Sequence, residues 1–206
     1  MVEYFVNGGP FMWPILFALL FGIAFSLERF YSLIMSSVNS KKFFSSIEST
    51  LENEGVDAAI ELCEQTKGPV AEIFHAGLSR YHRGLDEVEK AIQNAGGIEM
   101  SFLEKNMIWL NAVITIAPLL GFTGTVSGMI RAFESIAAAN DISPAVVASG
   151  ISEALLTTAF GLIVAMIIQV FQNFFVSRID HLILDMEEHS VQLLDKLYEM
   201  QENQKK

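Results

Sequence analysis

One stretch of this chain with no formal charge of its own begins beside a carboxylate and a run of hydroxyls at helical spacing: Glu153, Thr157 and Thr158. Placed at about 100° per residue, these share an arc of roughly 160° with Gly150, Ala154, Gly161, Ala165 and Gln169. Leu155, Leu162, Ile163, Met166, Ile167 and Val170 take the opposite side. An earlier stretch groups Asn111, Thr115, Pro118, Gly121, Thr125 and Gly128 in the same manner. Two chemistries suit such faces. Small residues let helix backbones approach closely, Gly124 and Gly128 having the spacing familiar for it, with threonine hydroxyls bonded back to the preceding turn. Alternatively, hydroxyls and freed carbonyls offer oxygen ligands or water contacts to a small cation. Glu153 weighs toward the second, because a carboxylate costs about 2.5–3.5 kcal/mol at the centre of a membrane helix and therefore faces protein or water. Its plain alternative is an interfacial carboxylate hydrogen-bonded to a neighbouring helix. No aspartate lies in any of the apolar stretches, so a proton or sodium relay would take its titrating acid from elsewhere.

Three windows, 4–27, 106–130 and 154–177, contain no charged residue, and each is as long as a helix must be to cross a hydrocarbon core of about 30 Å. With 51% apolar residues and a mean hydropathy of +0.40, the chain reads as an all-α integral membrane protein. The basic residues set the expected orientation. All but one of the 13 Lys and Arg lie in 29–105 and 178–206, which are therefore expected to be cytoplasmic. The exception, Arg131, is three residues from Glu134, a spacing at which the two can pair on one helix face and mark the outer end of the second span. The expected order is a periplasmic tail 1–10, a first span 11–35, a cytoplasmic helical domain 36–105, a second span 106–136, a periplasmic loop 137–146, a third span 147–177 and a cytoplasmic C-terminal helix 178–206. Glu3 and the lack of a basic residue at the start argue against a cleaved secretory signal. Asn7-Gly8-Gly9-Pro10 predicts a turn before the first span.

Between 41 and 105 the pattern is helical throughout, with Phe43, Phe44, Ile47 and Leu51 recurring at three and four. Gly55, Lys67-Gly68-Pro69 and Gly84 punctuate it, and Pro69 suits a first helical turn. The segment 86–105 leads into the second span, as one continuous helix with Gly96-Gly97 as a weak point. After the third span, Ile179, Ile183, Met186, Leu193, Leu197 and Met200 form a stripe that packs on the inner domain, on other copies of the chain, or on both. Cys63 predicts a reduced, small core residue, and His75, His82, His181 and His189 lack metal-ligand spacing and read as solvated helix positions. A net charge of −11 argues against nucleic-acid binding. No nucleophile and base pairing, phosphate loop or metal cluster suggests an enzyme, no cofactor is implied, and three spans lack the internal repeat of a solute transporter.

The run Ala117-Pro118-Leu119-Leu120-Gly121-Phe122-Thr123-Gly124-Thr125-Val126-Ser127-Gly128-Met129 resembles the second-span motif of the MotA/TolQ/ExbB ion-channel family. Ile151-Ser152-Glu153-Ala154-Leu155-Leu156-Thr157-Thr158-Ala159-Phe160-Gly161-Leu162 resembles its third-span motif, and Leu27-Glu28-Arg29 its first-span exit. Three spans make the chain similar to the ExbB and TolQ branch. The resemblance implies long helices that continue from the bacterial inner membrane into a cytoplasmic bundle, assembled as a homopentamer ring. In its lumen would sit single-span partners of the ExbD/TolR type, each supplying a membrane aspartate, and ion flow would drive work on the periplasm or outer membrane. By the same resemblance Thr125 and Thr158 match pore-lining threonines and Glu153 the third-span glutamate, Pro118 shapes the second span, and Gly121, Gly124, Gly128 and Gly161 allow close packing. Thr157 departs from the Ala or Gly of proton-using relatives, so that Thr157 with Thr158 is similar to sodium-using stators and would offer a transient Na+ site. The transported ion is thus H+ or Na+. A membrane scaffold that conducts nothing is the reading of a different class.

Overall fold

The computed structural model describes residues 2–36, 40–139 and 144–204, and these are almost wholly helical, with no strand among them. The helices are α1 (Val2–Asn7), α2 (Met12–Ser36), α3 (Ser40–Asn53), α4 (Val56–Gln65), α5 (Pro69–Leu78), α6 (Leu85–Leu103), α7 (Met107–Ala139) and α8 (Pro144–Gln204), with a single 3-10 turn at Tyr81–Arg83. Three stretches, within α2, α7 and α8, are long and apolar enough to cross a membrane. α8, at 61 residues, is about three times the length a bilayer requires, and it runs unbroken through the third span and the C-terminal helix expected from the sequence. Of the connection expected at 137–146, residues 137–139 continue α7 and 144–146 begin α8, and 140–143 lie outside the described residues.

The chain forms two compact units, one of Met1–Arg29 with Asn106–Phe174, the other of Phe30–Lys105 with Phe175–Lys206. In the first, the bulky face of α8 is exposed, Leu155, Leu162, Met166 and Val170 included, as are Phe17 and Leu20 of α2 and Leu119 and Phe122 of α7. An apolar exterior of this kind suits acyl chains. Its interior combines large side chains, with Met12, Ile15, Leu110 and Ile168 fully buried, and small groups: Ala117, Ala154 and Ala165 are buried, and Gly22 of α2 lies where a Cβ would meet Ile168 Cδ1 at 2.7 Å. At the start of α7, Asn106 takes a left-handed conformation (φ 66°) and its side-chain amide donates to Glu28 Oε2 at 3.3 Å. Glu28 also holds the buried Arg29, Nε to Oε2 at 2.7 Å and Nη2 to Oε1 at 2.6 Å. The helix break before the second span is therefore at Glu104–Asn106. α6 runs straight through Gly96-Gly97, which corrects both a continuous helix and the glycine pair as its weak point. One helical turn of Ala-like backbone tolerates two glycines when the flanking turns are packed, whereas a non-glycine residue at positive φ cannot continue an α-helix.

The second unit is built from large side chains. Phe43, Ile47 and Leu51 of α3, Ile73, Phe74 and Leu78 of α5, and Val88 and Ile92 of α6 are buried, at the three and four spacing of helices that each bury one stripe. Gly68 (φ 136°) turns the chain immediately before Pro69, which occupies the first turn of α5. The stripe of α8 closes this core: Ile179, Met186, Leu193 and Leu197 are buried, and Lys196 pairs with Glu48 at 3.3 Å and with Glu52 of α3. Cys63 is buried, and burial, with the nearby Glu72 carboxylate, pushes its thiol up to about 12. His189 is not a solvated position. It is buried, its ring lies edge-on to Phe44 at 5.5 Å, and Nδ1 is 2.7 Å from Asp185 O, so an imidazole with one backbone contact fills a gap in the apolar stripe between Met186 and Leu193. Ile183 and Val191, on the margin of the same stripe, border an open groove of about 530 Å³ with Ile92 and Met100.

Candidate functional site

α7 and α8 meet along a seam of glycine. A Cβ at Gly161 would lie 2.5 Å from Ala117 O, one at Gly121 2.9 Å from Thr157 O, one at Gly124 2.6 Å from Thr157 Oγ1, and one at Gly128 3.2 Å from the Ala154 backbone nitrogen. Here helix backbones touch without side chains between them, which only glycine permits. Pro118 sits inside α7 one residue beyond Ala117, and having no N–H it leaves the Ile114 carbonyl without its usual donor. The small face of α8, including Gly150, Ala154, Thr157, Gly161 and Ala165, is thus turned to α7 in large part.

Thr125 and Thr158 come together at this seam, hydroxyl to hydroxyl. Thr125 Oγ1 is also 3.1 Å from Ala154 O and 3.3 Å from Gly121 O, and Thr158 Oγ1 is 3.2 Å from Gly121 O. Two hydroxyl protons serve all of these contacts, so the donor pattern can rearrange, and each oxygen keeps acceptor capacity for water or a cation. Both side chains are half-buried in the single chain. A hydroxyl pair can solvate and relay but stores no charge at neutral pH.

Thr157 differs from its neighbour. It is buried, and its hydroxyl donates to Ala154 O at 2.8 Å, with Glu153 O at 3.3 Å as a second acceptor. This is the back-bonded arrangement of a packing threonine. Glu153, one turn beyond, is not brought to the hydroxyl pair. It pairs with Arg131 of α7, which corrects the expected pairing of Arg131 with Glu134 on its own helix. The cause is the hairpin register: contacts of Gly128 with Ala154 and of Gly150 with Ala132 bracket Arg131 and Glu153 and set them face to face. Sequence reasoning missed this pair; it placed Asn111 and Gln169 on the small faces but missed that, at the other end of the unit, Gln172 donates to Asn111 Oδ1 at 3.0 Å and Gln169 to Asn173 Oδ1 at 2.8 Å. Four amide residues near the ends of two charge-free stretches are the signal that could have found them.

Residues 65–188 match the family described as the MotA/TolQ/ExbB proton channel family. That description is of a channel and not of an enzyme class. The chain is 31% identical over 181 residues to a putative biopolymer transport protein ExbB homolog of Methanothermobacter thermautotrophicus, an alignment covering 87% of this chain and 64% of that relative, so the chain spans less than two thirds of its length. It is 29% identical to the Tol-Pal system protein TolQ of Pseudomonas aeruginosa over 77% of this chain and 68% of that one. It is 28% identical to the biopolymer transport protein exbB1 of Vibrio cholerae over 76% and 71%. With three membrane-length apolar helices and a match across more than half its residues, the chain belongs to the MotA/TolQ/ExbB proton channel family, in its ExbB/TolQ-like branch.

Proposed function

We propose that this chain is the ion-conducting subunit of an inner-membrane motor of the ExbB–ExbD or TolQ–TolR kind, in which a homopentamer encloses single-span partners and ion flow is converted to work on the periplasm or outer membrane. The observation that carries the proposal is the hydroxyl pair of Thr125 and Thr158, set at a bare-backbone seam with no carboxylate beside it among the described residues. Such a pair needs a titrating acid from another polypeptide, and an aspartate on a partner helix is the chemistry that fits. The names of the relatives, biopolymer transport and the Tol-Pal system, support work across an envelope. The distribution of Lys and Arg supports a periplasmic N-terminus and a cytoplasmic C-terminus. The proposed ion is the proton. Thr157 spends its hydroxyl inside the seam, which leaves a weaker sodium site than the adjacent threonines suggest. Work that stops when the sodium gradient is removed and the proton gradient kept, and that Thr157→Ala then makes independent of sodium, would reverse this choice.

A scaffold without conduction is the second reading, and one observation favours it: within a single chain the small faces of α7 and α8 already pack on each other. Thr158→Val separates the two, since it removes a hydroxyl at nearly constant volume. The motor reading expects an assembled ring with ion-driven work reduced about tenfold, the scale of one polar contact of about 1–3 kcal/mol lost in a dry site. Full work in that variant, or a ring that copurifies with no aspartate-bearing single-span protein, would leave the scaffold.

A further inference from the structure

Arg131 and Glu153 are the paired charges at one end of the hydroxyl seam, and their surroundings fix what each can do. Glu153 is about four-fifths buried, its side chain 21% exposed, and the Arg131 side chain is 40% exposed. Behind the carboxylate lies Gly9 in the turn before α2. Gly9 has φ 71°, and a Cβ on it would be 1.8 Å from Glu153 Oε1. The carboxylate is therefore held between a guanidinium on one side and bare backbone on the other. A group that carries ions must exchange partners, turning from one side of a barrier to the other, and this one is about four-fifths buried with its carboxylate engaged by a guanidinium. A guanidinium, in contrast, stays charged at every working pH. Left alone at the end of a cation path it would raise a standing electrostatic barrier, and Glu153 is the group that cancels it.

We infer that Glu153 acts as the fixed counter-ion of Arg131 and carries no ion itself, and that Arg131 is a positioning residue at the mouth of the Thr125–Thr158 path. This rests on the conducting role proposed above, and it reassigns the glutamate within it. The two neutral changes should then behave non-additively. Glu153→Gln strands the positive charge and lowers proton flux about tenfold or more, as removing one member of a partly buried pair does. Arg131→Gln with Glu153→Gln removes both charges and restores flux to within about threefold of the unaltered chain, and the exchange Arg131→Glu with Glu153→Arg recovers part of it.

The test is proton flux into membrane vesicles from cells making the full chain with its copurifying partner, together with the melting temperature of the detergent-purified chain. Restored flux in the double neutral variant, with a melting temperature above that of Glu153→Gln alone, supports the inference. A double variant as impaired as the single one, or a Glu153→Gln chain that conducts normally, overturns it. If the unaltered chain conducts no protons, the conducting role fails first, and the counter-ion pairing is still decided by the melting temperatures: strictly additive losses would reject it.

Discussion

The core of α3, α5 and α6 in one unit and the α7–α8 seam in the other hold their helices together by opposite means. Around α3, α5 and α6 the contacts are large side chains, with Phe43 and Phe44 each against Phe74 at ring distances of 5.8 and 6.1 Å. Between α7 and α8 the contacts are backbone against backbone, at Gly121, Gly128 and Gly161. The difference follows from the solvent. In water, an apolar side chain gains about 25 cal/mol for each Å² it buries, so helices display large stripes and bring them together. Against acyl chains that gain is absent, and helices associate through close van der Waals approach and hydrogen bonds, for which small residues serve best. A consequence for function is that the polar groups of the membrane unit, Thr125 and Thr158, lie on the packing surface itself, next to the carbonyls a bare backbone leaves open.

This contrast predicts opposite sensitivities. The largest expected effect is Phe74→Ala, which empties the meeting point of α3 and α5 and should cost about 3–5 kcal/mol of stability, as truncation of a fully buried aromatic does. Chemical denaturation followed by tryptophan-independent helix signal would measure it, and a loss under about 1 kcal/mol would mean that this core is not what holds the unit.

Next in size is a single methyl added to the seam. Gly121→Ala brings Cβ to 2.9 Å from Thr157 O and 3.0 Å from Thr158 Cα, both backbone atoms that move only if a helix moves. Overpacking of this kind costs about 1–3 kcal/mol, and it should lower both melting temperature and ring yield. Gly97→Ala, in α6, is the control: its Cβ meets nothing within 4 Å, so the same methyl should stabilise by about 0.4–1 kcal/mol through helix propensity. Equal responses at the two glycines would break the proposed distinction between the units.

The same physics explains what could be read from the sequence. Apolar stripes at three and four, charge-free windows and the Gly68-Pro69 start of α5 are local patterns, and they identify the helices. The sidedness of α8 is also local, and its bulky residues are indeed the exposed ones. What could not be read is register. Whether Arg131 faces Glu134 or Glu153 depends on how far α8 slides along α7, and that is set by glycine contacts whose partners lie many residues away. The burial of His189 against Phe44 of α3 likewise joins residues far apart in sequence, whereas the Thr157 hydroxyl bonds back to Ala154 on its own helix, one of the two readings its spacing left open. The break falls at Asn106, whose amide meets Glu28 far back in the chain, and the local signal of Gly96-Gly97 pointed to the wrong place.

The smallest expected effect sharpens the comparison at the level of single carboxylates. Glu153 in the membrane unit has a guanidinium beside it, whereas Glu99 on α6 has Glu72 near it, and its carboxyl is raised above the ordinary 4.5, first by burial and second by that repulsion. A folded-state value above the unfolded one means that the fold binds the proton more tightly, so the stability linked to Glu99 is greatest below 4.5 and is lost as pH rises through the raised value. At neutral pH the ionised group is therefore a small cost to the fold. Glu99→Gln should remove it, stabilising by no more than about 0.5 kcal/mol, since the group is only partly buried. The gain in melting temperature should be present at neutral pH and shrink toward zero as pH falls well below 4.5, where the carboxyl is protonated in folded and unfolded chains alike. A gain that stays constant across that range would come from side-chain packing, and the burial and repulsion assigned to Glu99 would then have no effect on stability.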